Sequence, residues 1–192
     1  MDDTDKTAIK TESGLKLGKE KLKKAVMMEI EHTTNIACRA FEEMEEAVEM
    51  ADNEKIWFSV HSFLSAVYQL SKLVRSGRER LMEGDGLEYL GSLLDEDYSF
   101  LKTESKGVFD DFRSNFEDWV LDEERTQILE KNVIPKGLVF GMNEEDMLRH
   151  LDPETYELTM RGETYDLLEY QKDILQMKKK MDHLVEKSFW EL

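Results

Sequence analysis

The chain has 192 residues and a formal charge of −17, from 43 Asp and Glu against 26 Lys and Arg. That balance argues against sequence-independent grip on a nucleic-acid backbone, which depends on neutralising phosphates, and against an anionic membrane surface, but it leaves room for a small basic pocket. A hydrophobic fraction of 40% with 9 Phe, 6 Tyr and 3 Trp supports a packed core, while 10 Gly and 2 Pro favour long helices.

Residues 1–18 are polar, contain Gly14 and Gly18, and read as a flexible N-terminal arm. From Lys19 one domain is expected to run to residue 192. Leu22, Val26, Ile30, Thr33, Ala37, Ala40, Met44, Ala47 and Ala51 recur at spacings of three and four, one face of a long helix. Thr33, Thr34 and Asn35 are weak helix formers and mark a place where it can break. Glu42, Glu43, Glu45, Glu46 and Glu49 form a solvated acidic face. Cys38 is the single cysteine, so an intrachain disulfide and a Cys-rich zinc site are excluded, and a small buried hydrophobe is expected.

A second helix follows Asp52. Trp57, Val60, Leu64, Val67, Ser71 and Val74 form its stripe, Phe58, Phe63, Tyr68 and Leu70 widen it, and Gly77 is expected to end it. A shorter helical region over 79–95 is interrupted at Gly84-Asp85-Gly86. A fourth helix is expected from Thr103 or Ser105 to about Lys131, with Phe109, Phe112, Phe116, Trp119 and Val120 inward.

After Asn132 the pattern changes. Leu138-Val139-Phe140 suggests a short strand, and residues 147–151 and 156–160, around Asp152-Pro153-Glu154-Thr155, suggest a β-hairpin closed by Gly162, the alternative for 144–151 being one or two helical turns. The final helix is expected from Glu163 or Thr164 to about Lys187, on the seam Leu167, Tyr170, Ile174, Met177, Met181 and Leu184. The fold class is therefore all-α: a bundle of four to five long helices, with a small C-terminal β-hairpin in the region 133–162 before a last helix over 163–188.

Signatures of phosphate loops, nucleophile elbows and zinc hydrolases are missing. Glu29 and His32 have the Glu-x-x-His spacing of carboxylate-bridged metals, but the second copy such bundles need is missing, so no metal and no cofactor is expected. Two places carry candidate chemistry. His61 falls on the Trp57-to-Leu64 face and is expected half-buried, where an imidazole needs a partner. Arg113 lies among Phe109, Phe112 and Phe116, with Asn115, Glu117 and Asp118 beside it. A guanidinium in such a crevice can organise carboxylates or hold a phosphate, and Arg113 and Glu117 are spaced to pair.

The stretches Trp57-Phe58-Ser59-Val60-His61-Ser62-Phe63-Leu64-Ser65-Ala66, Leu70-Ser71-Lys72-Leu73 and Arg113-Ser-Asn-Phe-Glu-Asp-Trp-Val-Leu-Asp-Glu-Glu-Arg125 resemble an uncharacterised bacterial branch of the HEPN superfamily of helical domains, as do the flanks of Leu151-Asp-Pro-Glu-Thr155. The resemblance would span about residues 20–185. Catalytic members cleave RNA without a metal, using an Arg and a following His at a dimer interface. The resemblance carries Arg113 into the arginine role, with Ser114 as the polar residue after it. The histidine has no counterpart: Asp118 is the ionisable residue nearest that place, and a carboxylate neither replaces an imidazole as acid and base near neutral pH nor attracts a phosphodiester.

The resulting expectation is a non-catalytic, cytoplasmic, dimeric helical scaffold that works through protein–protein contacts. The resemblance implies a toxin–antitoxin or defence setting. The alternative is a HEPN-type metal-independent ribonuclease or nucleotide-binding protein using Arg113, Asn115, Glu117, Asp118 and His61. The acidic faces also suit masking of a basic protein partner. No membrane span is expected, because no long uncharged apolar window occurs, and the N-terminal MDDTDKTAIK lacks the order of a secretory signal.

Overall fold

A computed structural model describes residues 3–82, 91–106, 112–122, 128–141 and 143–190, without the side chains of 3–17, 19–20, 23, 80–82, 92, 103–106, 112–115 and 185–190. The fold is helical with a small sheet before the last helix, as the pattern implied. Helix α1 spans Asp3–Glu49 without a break. Residues 3–18, expected as a loose arm, are its first turns. At the suspected break Thr33 and Thr34 are buried instead, and the Thr34 hydroxyl donates to the Ile30 carbonyl at 2.6 Å, which spares the helix an unpaired buried hydroxyl.

Helix α1 ends in a reversed turn. Ala51 takes a left-handed backbone (φ 53°), and the amides of Ala51 and Asp52 reach back to the carbonyls of Val48 and Ala47. This is the hydrogen-bond pattern that closes many helices on a glycine. Asp52 then caps α2 (Asn53–Met82), its carboxylate accepting the Lys55 amide at 3.1 Å.

The expected stripe of α2 is all buried: Trp57, Val60, Leu64, Val67, Ser71 and Val74. Its partner on α1 includes Phe41, whose ring meets Phe63 edge-on at 5.3 Å. Gly77 does not end α2. A Cβ there would lie 3.0 Å from both methyl carbons of Leu94, so the glycine admits helix α3 (Gly91–Leu94) against the α2 backbone. Residues 83–90, with the expected interruption at Gly84-Asp85-Gly86, lie outside the described residues.

A 3-10 stretch, Ser99–Lys106, follows α3, and at its start the rings of Tyr98 and Phe100 stack at 5.0 Å. Helix α4 is only Phe112–Val120. It does not run to Lys131 as expected. Its last bond joins the Leu121 amide to the Glu117 carbonyl, and the anionic Asp122-Glu123-Glu124 follows, the wrong charge for a helix C-terminus.

Strand β1 is Asn132–Val133, β2 is His150–Leu151, β3 is Glu157–Met160 and β4 is Glu163–Asp166, in the order β1-β2-β3-β4. The expected hairpin is the antiparallel β2–β3 pair, with Leu151 opposite Leu158. Two details differ. Residues 138–140 are not a strand, since Lys136–Leu138 turns in a 3-10 helix. Residues 163–166 are strand rather than helix, so the last helix α5 spans Leu167–Trp190. The cause is a two-residue turn at Arg161-Gly162, both with positive φ (52° and 82°), which folds β4 back on β3.

Helix α5 buries Leu167, Tyr170, Ile174, Met177 and Met181 of its expected seam against α1 and the sheet. It also clamps the start of the 3-10 stretch and the residues before it: Asp173 accepts the Ser99 amide and hydroxyl at 2.6 and 2.5 Å, and Lys180 pairs with Glu96. Among the described residues no helix is long and apolar enough to cross a membrane.

Candidate functional site

The sheet divides its residues by register. Leu151, Leu158 and Tyr165 face the helical core, while His150, Thr159 and Thr164 stand in line on the other face. Two polar features result, one on each side.

On the core side, the end of the sheet leaves a groove against α2 of about 680 Å³. Trp57, Val60 and Leu64 from α2 and Met160 from β3 supply its apolar lining. Glu54, Phe58, His61 and Ser65 extend the α2 wall, and Lys131 and Arg149 come from the residues flanking β1 and β2. Phe58 is 68% exposed. The indole N–H of Trp57 is buried with no partner among the described residues. Lys131 and Arg149 pair with no carboxylate among the described residues, whereas Lys55, Lys136 and Lys180 each do. Arg161 sits close enough to Arg149 to feel its charge. Burial first, and then Arg149, lowers the affinity of that guanidinium for its proton, against the opposing pull of Tyr165.

On the other face, Asn132 Nδ2 lies 3.0 Å from His150 Nδ1. With the amide nitrogen as donor, the imidazole is neutral and carries its proton on Nε2, an atom that is buried and unpaired among the described residues. Burial pulls the His150 pKa below its ordinary value, and this outweighs the opposing pull of Asp152. Asp152 is buried too. Burial pushes its carboxyl up, but the amides of Lys136, Glu154 and Thr155, at 2.8, 2.8 and 3.2 Å, hold it below the usual carboxylate range. Lys136 bridges Glu144 and Glu157 at 2.5 and 2.6 Å, and these bonds raise its pKa.

The sequence-derived candidates fall as follows. His61 is exposed at the edge of the groove, not half-buried, because residue 61 lies one step off the stripe that carries Val60 and Leu64 inward. Arg113 and Asn115 belong to α4, but their side chains lie outside the described residues, and so does the expected Arg113–Glu117 pair. Glu117 and Asp118 are exposed and do not line the groove. Trp119 anchors α4, its indole donating to the Glu145 carbonyl at 2.8 Å. Of the consecutive Lys178, Lys179 and Lys180 on α5, Lys180 is taken by Glu96. Glu29 and His32 are both exposed.

Lys131, Arg149 and Met160 were not singled out in the sequence, and only the folding of the sheet onto α2 brings them to His61. No protein-family model, curated protein or solved structure matches the chain.

Proposed function

We propose that the protein is a non-catalytic, dimeric helical scaffold acting through protein–protein contacts. The observation that carries this reading is a run of large apolar side chains left in water in one segment: Val120, Leu121, Ile128, Ile134, Leu138 and Phe140, the last 82% exposed. Apolar surface concentrated in this way, with charged neighbours, is what interaction surfaces expose. The exposed Glu117 and Asp118 beside Val120 and Leu121 suit a partner with a basic face. The toxin–antitoxin or defence setting comes from the HEPN resemblance alone.

Light scattering after size exclusion tests the reading. The expected result is a dimer that Leu121→Asp or Phe140→Asp weakens by about tenfold or more, with the helical circular-dichroism signal intact. A wild-type chain that stays monomeric at about 100 µM would overturn it.

A second reading, a HEPN-type ribonuclease or nucleotide-binding protein, draws on one observation: His61 shares a groove with Lys131 and Arg149, which pair with no carboxylate among the described residues. It requires metal-independent RNA cleavage that is lost in His61→Ala.

A further inference from the structure

We infer that the groove between α2 and the sheet binds a small amphipathic monocarboxylate, an organic acid with an acyl-chain or aryl body. The size fits first. At about 680 Å³ the groove lies within the range of small-molecule sites, roughly 300–1,000 Å³. The lining fits next: Phe58 presents the open apolar surface that gains from covering, beside a buried floor of Trp57, Val60, Leu64 and Met160.

Charge then selects the head group. Two cations and one carboxylate line the groove, Lys131 and Arg149 against Glu54, which leaves one cation in excess. That matches one negative charge. A polyphosphate would gain less there and would meet both Glu54 and a chain of −17.

Glu54 belongs to the first turn of α2, on the wall opposite the cations, so it orients the ligand: the carboxylate turns to the sheet side and the body lies along Phe58 on the α2 side. Arg149 supplies a planar fork that takes both oxygens of a carboxylate, and the nearby Arg161 deepens the positive field around it. Trp57 adds an indole N–H with no partner among the described residues. Only Lys131 of the groove falls within residues 120–140, and none of the exposed apolar side chains named there lines the groove, so the site stands whether or not the scaffold reading does.

Calorimetric titration of the full chain with decanoate tests the site, with 1-decanol and a capped peptide of alternating Leu and Asp as comparison ligands. The expected result is saturable binding of one decanoate per chain. Arg149→Glu and, separately, the groove-filling Ser65→Trp should weaken it by about tenfold or more at an unchanged melting temperature, and decanol should bind about tenfold more weakly. No saturable binding, equal binding of decanol, or indifference to Arg149→Glu would each overturn the proposal. A peptide that displaces decanoate at lower concentration would assign the groove to a segment of a partner protein instead. Binding seen only on dilution to monomer would assign it to a second copy of the chain.

Discussion

Ala51 occupies a backbone conformation that glycine enters freely and an L-residue enters at a cost of ~1–2 kcal/mol. The reversed turn it makes is still well bonded, and Asp52 uses it to start α2. Replacing Ala51 with Gly removes the strain but adds chain entropy to the unfolded state. The expected net gain is ~0.5–1 kcal/mol, a rise of roughly 1–4 °C in melting temperature, read by calorimetry. An unchanged or lower value would mean that the turn is not strained. The same scale explains the misplacement of His61. Helical spacing locates a residue to within a step around the axis, and one step separates the buried Val60 from an exposed histidine. His150 had no such periodicity to reveal it, because its burial depends on pairing with Thr159 and Asn132 across two strand contacts.

At the scale of elements, the long apolar periods of α1, α2 and α5 were legible because each repeats over several turns. The short elements were not. Strand β4 depends on Arg161-Gly162, a turn whose first residue is not among the usual Asn or Asp, and helix α4 stops where only the charge run after it hints at an end. Gly77 looked like a stop signal and is a packing contact.

The sheet layer also carries a dependence on acidity. His150 is held neutral, with its pKa depressed from 6.5, so the unfolded chain binds this proton more readily than the folded one. Stability from this group is complete above pH 6.5 and falls as pH drops below it; Asp152, whose pKa is also depressed from 3.8, adds a further loss at lower pH. Asp152, Glu157 and Glu144 favour the charged imidazole and Lys136 opposes it, but burial is the larger effect. Urea unfolding should show stability falling between pH 6.5 and 5.5, a fall that His150→Gln removes. A wild-type curve that stays flat over that window would show the imidazole titrating normally.

At the scale of the whole molecule, the charge of −17 opposes compaction, and the exposed Glu42, Glu45, Glu46 and Glu49 on α1 concentrate that repulsion along one helix. Arg39 and Lys55 offset only part of it, through exposed pairs with Glu43 and Glu46 at 2.9 and 3.3 Å. Raising sodium chloride to about 0.5 M should therefore stabilise the fold, by ~1 kcal/mol or roughly 2–4 °C in melting temperature. A fall would mean that ion pairs such as Lys136 with Glu144 and Glu157 outweigh the repulsion.

The placement of α5 bears on how the chain reaches this state. Thr34 on α1 meets Met177 on α5 across 143 positions. The α1–α2 hairpin is local and can form early, whereas α5 closes a loop of most of the chain before any contact rewards it. During synthesis, then, the side of α1 that carries Thr34 waits uncovered until α5 has been made. A truncation that removes α5 should leave not a smaller folded protein but a sticky hairpin, prone to aggregate or to be held by chaperones.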